Sequence, residues 1–166
     1  MEPSTSPVSD PAYPQPARPK KFPVGLILVI IFVGLGMLGS ISSIFEPVAL
    51  IGAIILTGVV AYLYNAAMLA IEVFIFAGLI QRKEWGRVLG IWYYSYSIAV
   101  AALMALTFAF NRPAGIRALE ALEPDMVTTV PERFLALIMY VGMAIAILLC
   151  AIVVAYLATK KEHFRP

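Results

Sequence analysis

Residues 47–80 decide the fold class, and they read PVALIGAIILTGVVAYLYNAAMLAIEVFIFAGLI. The only charged side chain in this stretch is Glu72. A single helix of this length would measure about 51 Å at about 1.5 Å per residue. The hydrocarbon core of a bilayer is only about 30 Å thick, and helix tilts average about 20°. The stretch therefore predicts a membrane helix that carries extra residues at one end.

The extra residues lie at the N-terminal end of the stretch. We predict a span over about 57–80 and a kink or break near Gly52 or Thr57-Gly58. Segment 47–56 is too apolar to project into water. It is therefore expected to lie at the outer interface, to re-enter the membrane, or to belong to a kinked second span.

Three further apolar runs, at about 24–41, 88–110 and 134–158, are also long enough to cross a membrane. The chain is 61% hydrophobic and 13% charged, whereas soluble domains average about 45–50% and about 25%. This composition excludes an ordinary soluble domain. Lipid offers no partners to backbone polar groups, so the runs are expected to be helices. The predicted fold class is all-α: a polytopic membrane protein with a four-transmembrane-helix bundle over 24–158.

The ends of the chain differ from the spans. Seven prolines lie within residues 1–23, which predicts a disordered tail. A cleaved signal peptide is the alternative there, but the run from Val24 exceeds the usual apolar length of about 7–15 residues. Residues 159–166 form a short basic tail.

Basic residues predict the orientation, because cytoplasmic loops are enriched in Lys and Arg. Nine lie on one side: Arg18, Lys20, Lys21, Arg82, Lys83, Arg87, Lys160, Lys161 and Arg165. Three lie on the other: Arg112, Arg117 and Arg133. We therefore expect a cell-membrane protein with both termini cytoplasmic. The outer loop 111–132 is expected to hold a short amphipathic helix on the membrane surface.

Glu72 is the most informative residue, since an ionisable group at that depth is costly unless it is paired, protonated or hydrated. Asn65 lies seven residues earlier and hence on the same helix face. A hairpin of spans two and three that turns near Glu84 places residue 72 near 96. We therefore predict a polar site in which a hydroxyl contacts the Glu72 carboxyl, with the candidate donors Tyr93, Tyr96 and Ser97. The site is either an interhelical hydrogen bond or the proton- or cation-linked centre of a small transporter.

Two other patterns concern partners. Small residues recur every four positions in each span, which favours close helix packing. They serve the bundle itself, a homo-oligomer, or a partner membrane subunit. Aromatic and basic residues at the inner boundary are expected to anchor the protein to the lipid bilayer. These are Arg82, Lys83, Trp85, Arg87, Lys160, Lys161 and Arg165.

The sequence gives little basis for catalysis. Its only histidine, His163, is in the basic tail, and its only cysteine, Cys150, is in the last apolar run. The net charge of +2 is too small for an electrostatic grip on nucleic acid. We therefore predict no enzyme, no catalytic residue, no metal site, no cofactor and no nucleic-acid partner.

Two motifs resemble those of small four-helix integral membrane proteins of bacteria and archaea. Residues Leu79-Ile-Gln-Arg-Lys-Glu-Trp-Gly-Arg87 are similar to the Leu-x-x-Gly-x-x-Trp-Ala-Arg turn of those proteins, with Gln81 or Arg82 where Gly is frequent. The ending Tyr156-Leu-Ala-Thr-Lys-Lys-Glu-His-Phe164 resembles the C-terminal ending of those proteins. Those proteins are of unknown function, so the resemblance implies a topology and no catalytic residue. We expect a non-enzymatic accessory, scaffold or regulatory membrane component, with a small transporter as the alternative.

Overall fold

The computed structural model describes residues 23–51, 54–122 and 131–164. Within these ranges there are five α-helices: α1 (Val24–Ser43), α2 (Val59–Ile80), α3 (Glu84–Phe110), α4 (Arg112–Leu122) and α5 (Glu132–Thr159). Two strands, β1 (Val48–Ile51) and β2 (Ile54–Thr57), separate α1 from α2, and a 3₁₀ helix (Lys161–His163) follows α5. The predictions for residues 1–22 and for Arg165 concern residues outside these ranges.

Four of the helices are long and apolar enough to cross a membrane. They are α1, α2, α3 and the Phe134–Thr159 part of α5. The prediction of four apolar helices is confirmed. Helix α3 begins at Glu84, before the predicted start at residue 88, because the α2–α3 connection consists of residues 81–83 only. Trp85 and Arg87 therefore belong to the first turn of the helix.

The all-α expectation is wrong for segment 47–56, which contains most of a small antiparallel sheet. Val48 pairs with Thr57, and Ile51 pairs with Ile54. β-Branched residues are frequent here and favour strands, and the two strands satisfy each other's backbone groups. The break before α2 falls at Gly58, whose φ of 61° suits glycine. The Gly58 amide donates to the Pro47 carbonyl at 2.9 Å and closes the hairpin.

The buried residues form two clusters at opposite ends of the bundle. We call the end that contains the α2–α3 connection the turn end, and the end that contains β1 and β2 the hairpin end. The turn-end cluster draws on all four long helices and on Phe164: Leu26, Val29, Val33, Ile75, Leu79, Tyr94, Val153, Leu157 and Phe164. The hairpin-end cluster is smaller and consists of Met104, Phe108 and Leu135, with Leu50 of β1 and Ile116 of α4 packed against it.

The α2 and α3 backbones meet closely at the turn end. A Cβ added to Gly78 would lie 2.5 Å from the Gly86 Cα atom, so two glycines are required where the helices touch. Arg82, in the connection, has a φ of 53°. That left-handed conformation favours glycine.

Candidate functional site

Glu72 lies inside the bundle, between α1, α2 and α3. It is eight residues before the end of α2, or about 12 Å along the helix. Its side chain is 7% exposed. The Tyr93 hydroxyl on α3 donates a hydrogen bond to its Oε1 atom. On the α1 side, a Cβ added to Gly36 would lie 4.0 Å from the same oxygen. The carboxyl therefore faces α1 at Gly36, at a distance where a Cβ would make an ordinary van der Waals contact.

The second carboxyl oxygen, Oε2, is buried without a hydrogen-bond partner in the part of the chain that the structure describes. A buried acceptor without a partner costs about 1–3 kcal/mol, and more when it is charged. The sequence places no Lys, Arg or His within 24–43, 59–80, 88–110 or 134–159. No basic side chain of these segments can therefore act as a counter-charge for Glu72.

Asn65 lies on the buried face of α2 that also carries Glu72, at 9% exposure. Its Nδ2 atom donates to the Ser43 carbonyl oxygen at 2.7 Å. Ser43 is the last residue of α1, and the final carbonyls of a helix have no partner within the helix. Asn65 therefore caps α1, whereas Glu72 accepts a hydrogen bond from α3.

The three candidate hydroxyls have different partners. Tyr93 reaches Glu72, while the Tyr96 hydroxyl pairs with that of Tyr64 at 3.1 Å. Ser97 donates to the Tyr93 carbonyl at 3.0 Å, within α3. The α2–α3 connection is centred near residue 82 and not at 84. The α3 residue opposite Glu72 is therefore nearer in sequence to Tyr93 than to Tyr96. Sequence reasoning missed Tyr64, although α2 brings it toward α3 just as it does Glu72.

A groove of about 290 Å³ lies beside the Glu72–Tyr93 pair, toward the hairpin end. One part of its wall is formed by Tyr64, Tyr93, Tyr96 and Ser97. Another part is formed by Met68, Met104 and Met143, and Leu50 of β1 also contributes. The groove therefore adjoins α2, α3, α5 and the hairpin, and Tyr93 belongs both to its wall and to the Glu72 contact.

Arg87 has partners inside the protein. It is 9% exposed, and its Nε and Nη2 atoms contact the Glu84 carboxylate at 3.1 and 2.5 Å. Its Nη1 atom donates to the Leu157 carbonyl oxygen at 3.1 Å. Because Leu157 is in the last turn of α5, Arg87 joins the start of α3 to the end of α5.

The other predicted anchors lie at the same end of the bundle. The side chains of Lys83, Trp85, Lys160 and Lys161 are exposed, and that of Arg82 is half-buried. Their contact with lipid stays a prediction. Among the described residues, no group of three or more His, Cys, Asp or Glu could hold a metal ion.

Searches of protein-family models, curated proteins and solved structures for relatives of this chain found no match. The fold defines a class, a bundle of four long apolar helices with a small β-hairpin at one end. Within it, the candidate site is the buried Glu72–Tyr93 pair and the adjoining groove. The resemblance to small four-helix membrane proteins of unknown function stays a prediction.

Proposed function

We propose that the chain is a multi-pass protein of the cell membrane with both termini in the cytoplasm. The apolar length of its four long helices supports this, as does the basic character of the turn end, where Lys83, Lys160 and Lys161 are exposed. Labelling of single cysteines at Lys161 and at Phe45 with an impermeant thiol reagent, in a Cys150→Ala background, tests the orientation. In intact cells only position 45, where the native side chain is 78% exposed, is expected to react.

We further propose that the protein is a non-enzymatic accessory, scaffold or regulatory component that packs against another membrane helix through α5. The observation that carries this proposal is an open small-residue face. Gly142 and Ala146 are exposed, and a Cβ added to Gly142 would meet nothing within 4 Å. Small residues let helix backbones approach closely in lipid. This face therefore fits either a second copy of the chain or a partner subunit.

Cysteine cross-linking in native membranes tests that proposal. In a Cys150→Ala background, Ala146→Cys is compared with Leu148→Cys, which is also exposed but lies about 200° around the helix. An oxidant is expected to form one discrete adduct from position 146 and none from position 148. Equal adducts from both positions would contradict packing through this face, and no adduct from either would exclude a second copy as its occupant.

A carrier is the second candidate function, and one observation favours it: the buried Oε2 atom of Glu72 has no partner among the described residues. A carrier needs water to reach this carboxyl during its cycle. Glu72→Cys in a Cys150→Ala background should then react rapidly with a small water-soluble thiol reagent in intact membranes. Protein that stays folded and unlabelled would contradict the carrier and leave the accessory role standing.

A further inference from the structure

We propose that the groove between α2, α3 and α5 binds a lipophilic amine, an apolar molecule that carries one protonated nitrogen. The nitrogen lies against the Tyr93 hydroxyl, with Glu72 behind it as the counter-charge, and the apolar part lies along the methionines. The inference deepens the carrier candidate by naming a ligand class, but binding does not require the ligand to cross the membrane.

Charge complementarity is the first argument for this ligand. Glu72 is the only Asp, Glu, Lys, Arg or His in the four apolar segments 24–43, 59–80, 88–110 and 134–159. Its Oε2 atom is buried without a hydrogen-bond partner in the described parts of the chain. A carboxyl in such surroundings is stabilised by a cation that comes from outside the protein. An anionic ligand would be repelled, and a purely apolar one would bring no opposite charge to the carboxyl.

Tyr93 connects this carboxyl to the groove. Its hydroxyl proton is donated to Glu72, so its oxygen can act only as an acceptor toward the groove, which its side chain also lines. Donation to a carboxyl makes that oxygen a stronger acceptor, because hydrogen bonds in a chain polarise one another. An ammonium N–H group is the donor that matches it.

The Tyr64 and Tyr96 side chains complete the polar part of the groove. Their hydroxyls share one hydrogen bond at 3.1 Å, so one of the two protons is left for another acceptor and one oxygen can still accept an N–H. Both side chains line the groove, and tyrosine rings attract cations at their faces. The polar part of the groove therefore favours a cationic nitrogen over a neutral hydroxyl.

The remaining wall suits an alkyl chain. Met68, Met104 and Met143 line it together with Leu50, and methionine adapts to irregular apolar ligands. The volume of about 290 Å³ lies at the lower end of the range for small-molecule sites, about 300–1,000 Å³. An amine with a chain of roughly this size, such as octylamine, is therefore a suitable probe.

Equilibrium binding of radiolabelled octylamine to the full chain in nanodiscs tests the proposal. The measurement is made at about pH 7, where an alkyl amine is protonated, and empty nanodiscs give the partition into lipid. Octanol is the uncharged matched probe, and octanoate is the anionic one. We expect saturable binding of octylamine, and binding of octanol and octanoate weaker by about tenfold or more.

Variants locate the binding site. Glu72→Gln keeps the shape of the side chain and removes its charge, and Tyr93→Phe removes the hydroxyl oxygen between Glu72 and the groove. Ala101→Phe fills the groove and leaves Glu72 and Tyr93 unchanged. Each is expected to weaken octylamine binding about tenfold or more. Tyr140→Phe, on α5 and outside the groove lining, is the matched control and should bind as the native chain does.

Several outcomes would overturn the proposal. These are equal binding of octylamine and octanol, native affinity in the Glu72→Gln or Ala101→Phe variants, or equal loss in Tyr140→Phe. If Glu72→Gln does not fold, Ala101→Phe decides the question alone. Absence of octylamine binding together with labelling of Glu72→Cys would refute the ligand class and leave the carrier candidate. Binding with no such labelling would support a groove that is entered from the lipid side.

Discussion

The two ends of the bundle are built differently. At the turn end, four helices and Phe164 share one cluster of buried side chains, and the α2 and α3 backbones touch at Gly78 and Gly86. Toward the hairpin end, α2 and α5 are separated by a groove of about 290 Å³, and the cluster beyond it has three buried members among the described residues. Packing therefore holds one end, while the other leaves space beside Glu72, the one carboxyl buried among the described residues. Function is expected where the packing is incomplete.

The largest expected effect comes from adding one methyl group at the turn end. Gly78→Ala would place a Cβ atom 2.5 Å from the Gly86 Cα atom, and only a shift of the two helices can relieve that clash. We expect a loss of about 3 kcal/mol in the free energy of unfolding, the upper end of the usual range for an added methyl group in a closely packed site. Unfolding of the purified protein in mixed micelles, by addition of a denaturing detergent, gives the measurement.

Gly39→Ala is the matched control for that substitution. Gly39 lies near the hairpin end of α1, and a Cβ added there would meet nothing within 4 Å. Alanine is the better helix former, by up to about 1 kcal/mol, so stability should stay the same or rise. Similar losses in both variants would contradict the difference between the two ends.

A smaller loss is expected from Arg87→Leu. This change removes the donor to the Leu157 carbonyl and the contact with Glu84, so the start of α3 loses its hydrogen bond to the end of α5. A loss of about 1–2 kcal/mol follows from the usual value of such hydrogen bonds. The same unfolding assay measures it, and Lys83→Leu, at an exposed position, serves as the control. If the Arg87→Leu variant were as stable as the native chain, Arg87 would instead count among the lipid anchors.

Asn65→Leu tests the hairpin end in the same way. Its amide caps the Ser43 carbonyl, and without it the last turn of α1 loses a partner. We expect a loss of about 0.6–1 kcal/mol, the usual range for polar contacts between membrane helices. Hydrogen exchange of the amides at the end of α1 should rise in parallel. Unchanged exchange there would show that Asn65 does not cap this helix.

A comparable effect is expected from Tyr93→Phe. The substitution removes the hydrogen bond to the buried Glu72 carboxyl but keeps the ring in place, so about 1 kcal/mol should be lost, the lower end of the range for a buried acceptor left without a partner. If this variant stays stable while its octylamine binding falls, Tyr93 serves the groove and not the packing of the bundle. A loss as large as that of Gly78→Ala would instead make the pair a structural support of the bundle.

The long helices can be predicted well from the sequence, because each long apolar run admits few other structures in lipid. The Glu72 contact can be predicted only approximately. A shift of about two residues in the centre of the α2–α3 connection changes the partner from Tyr96 to Tyr93. The hairpin at 48–57 escapes sequence reasoning, because short apolar runs favour helix and strand alike until the rest of the fold is known. Arg87 resembles a lipid anchor in the sequence because its buried acceptor, the Leu157 carbonyl, is 70 residues away.

The most direct test of the central claim measures access to the groove beside Glu72. In a Cys150→Ala background, Ala101→Cys in the groove wall is compared with Ile75→Cys in the turn-end cluster. Each is treated in nanodiscs with aminoethyl methanethiosulfonate, which is cationic, and with its sulfonatoethyl analogue, which is anionic. We expect the cysteine at position 101 to react with both reagents, and faster with the cationic one. The cysteine at position 75 is not expected to react. Equal rates at both positions, or no preference for the cation at position 101, would contradict it.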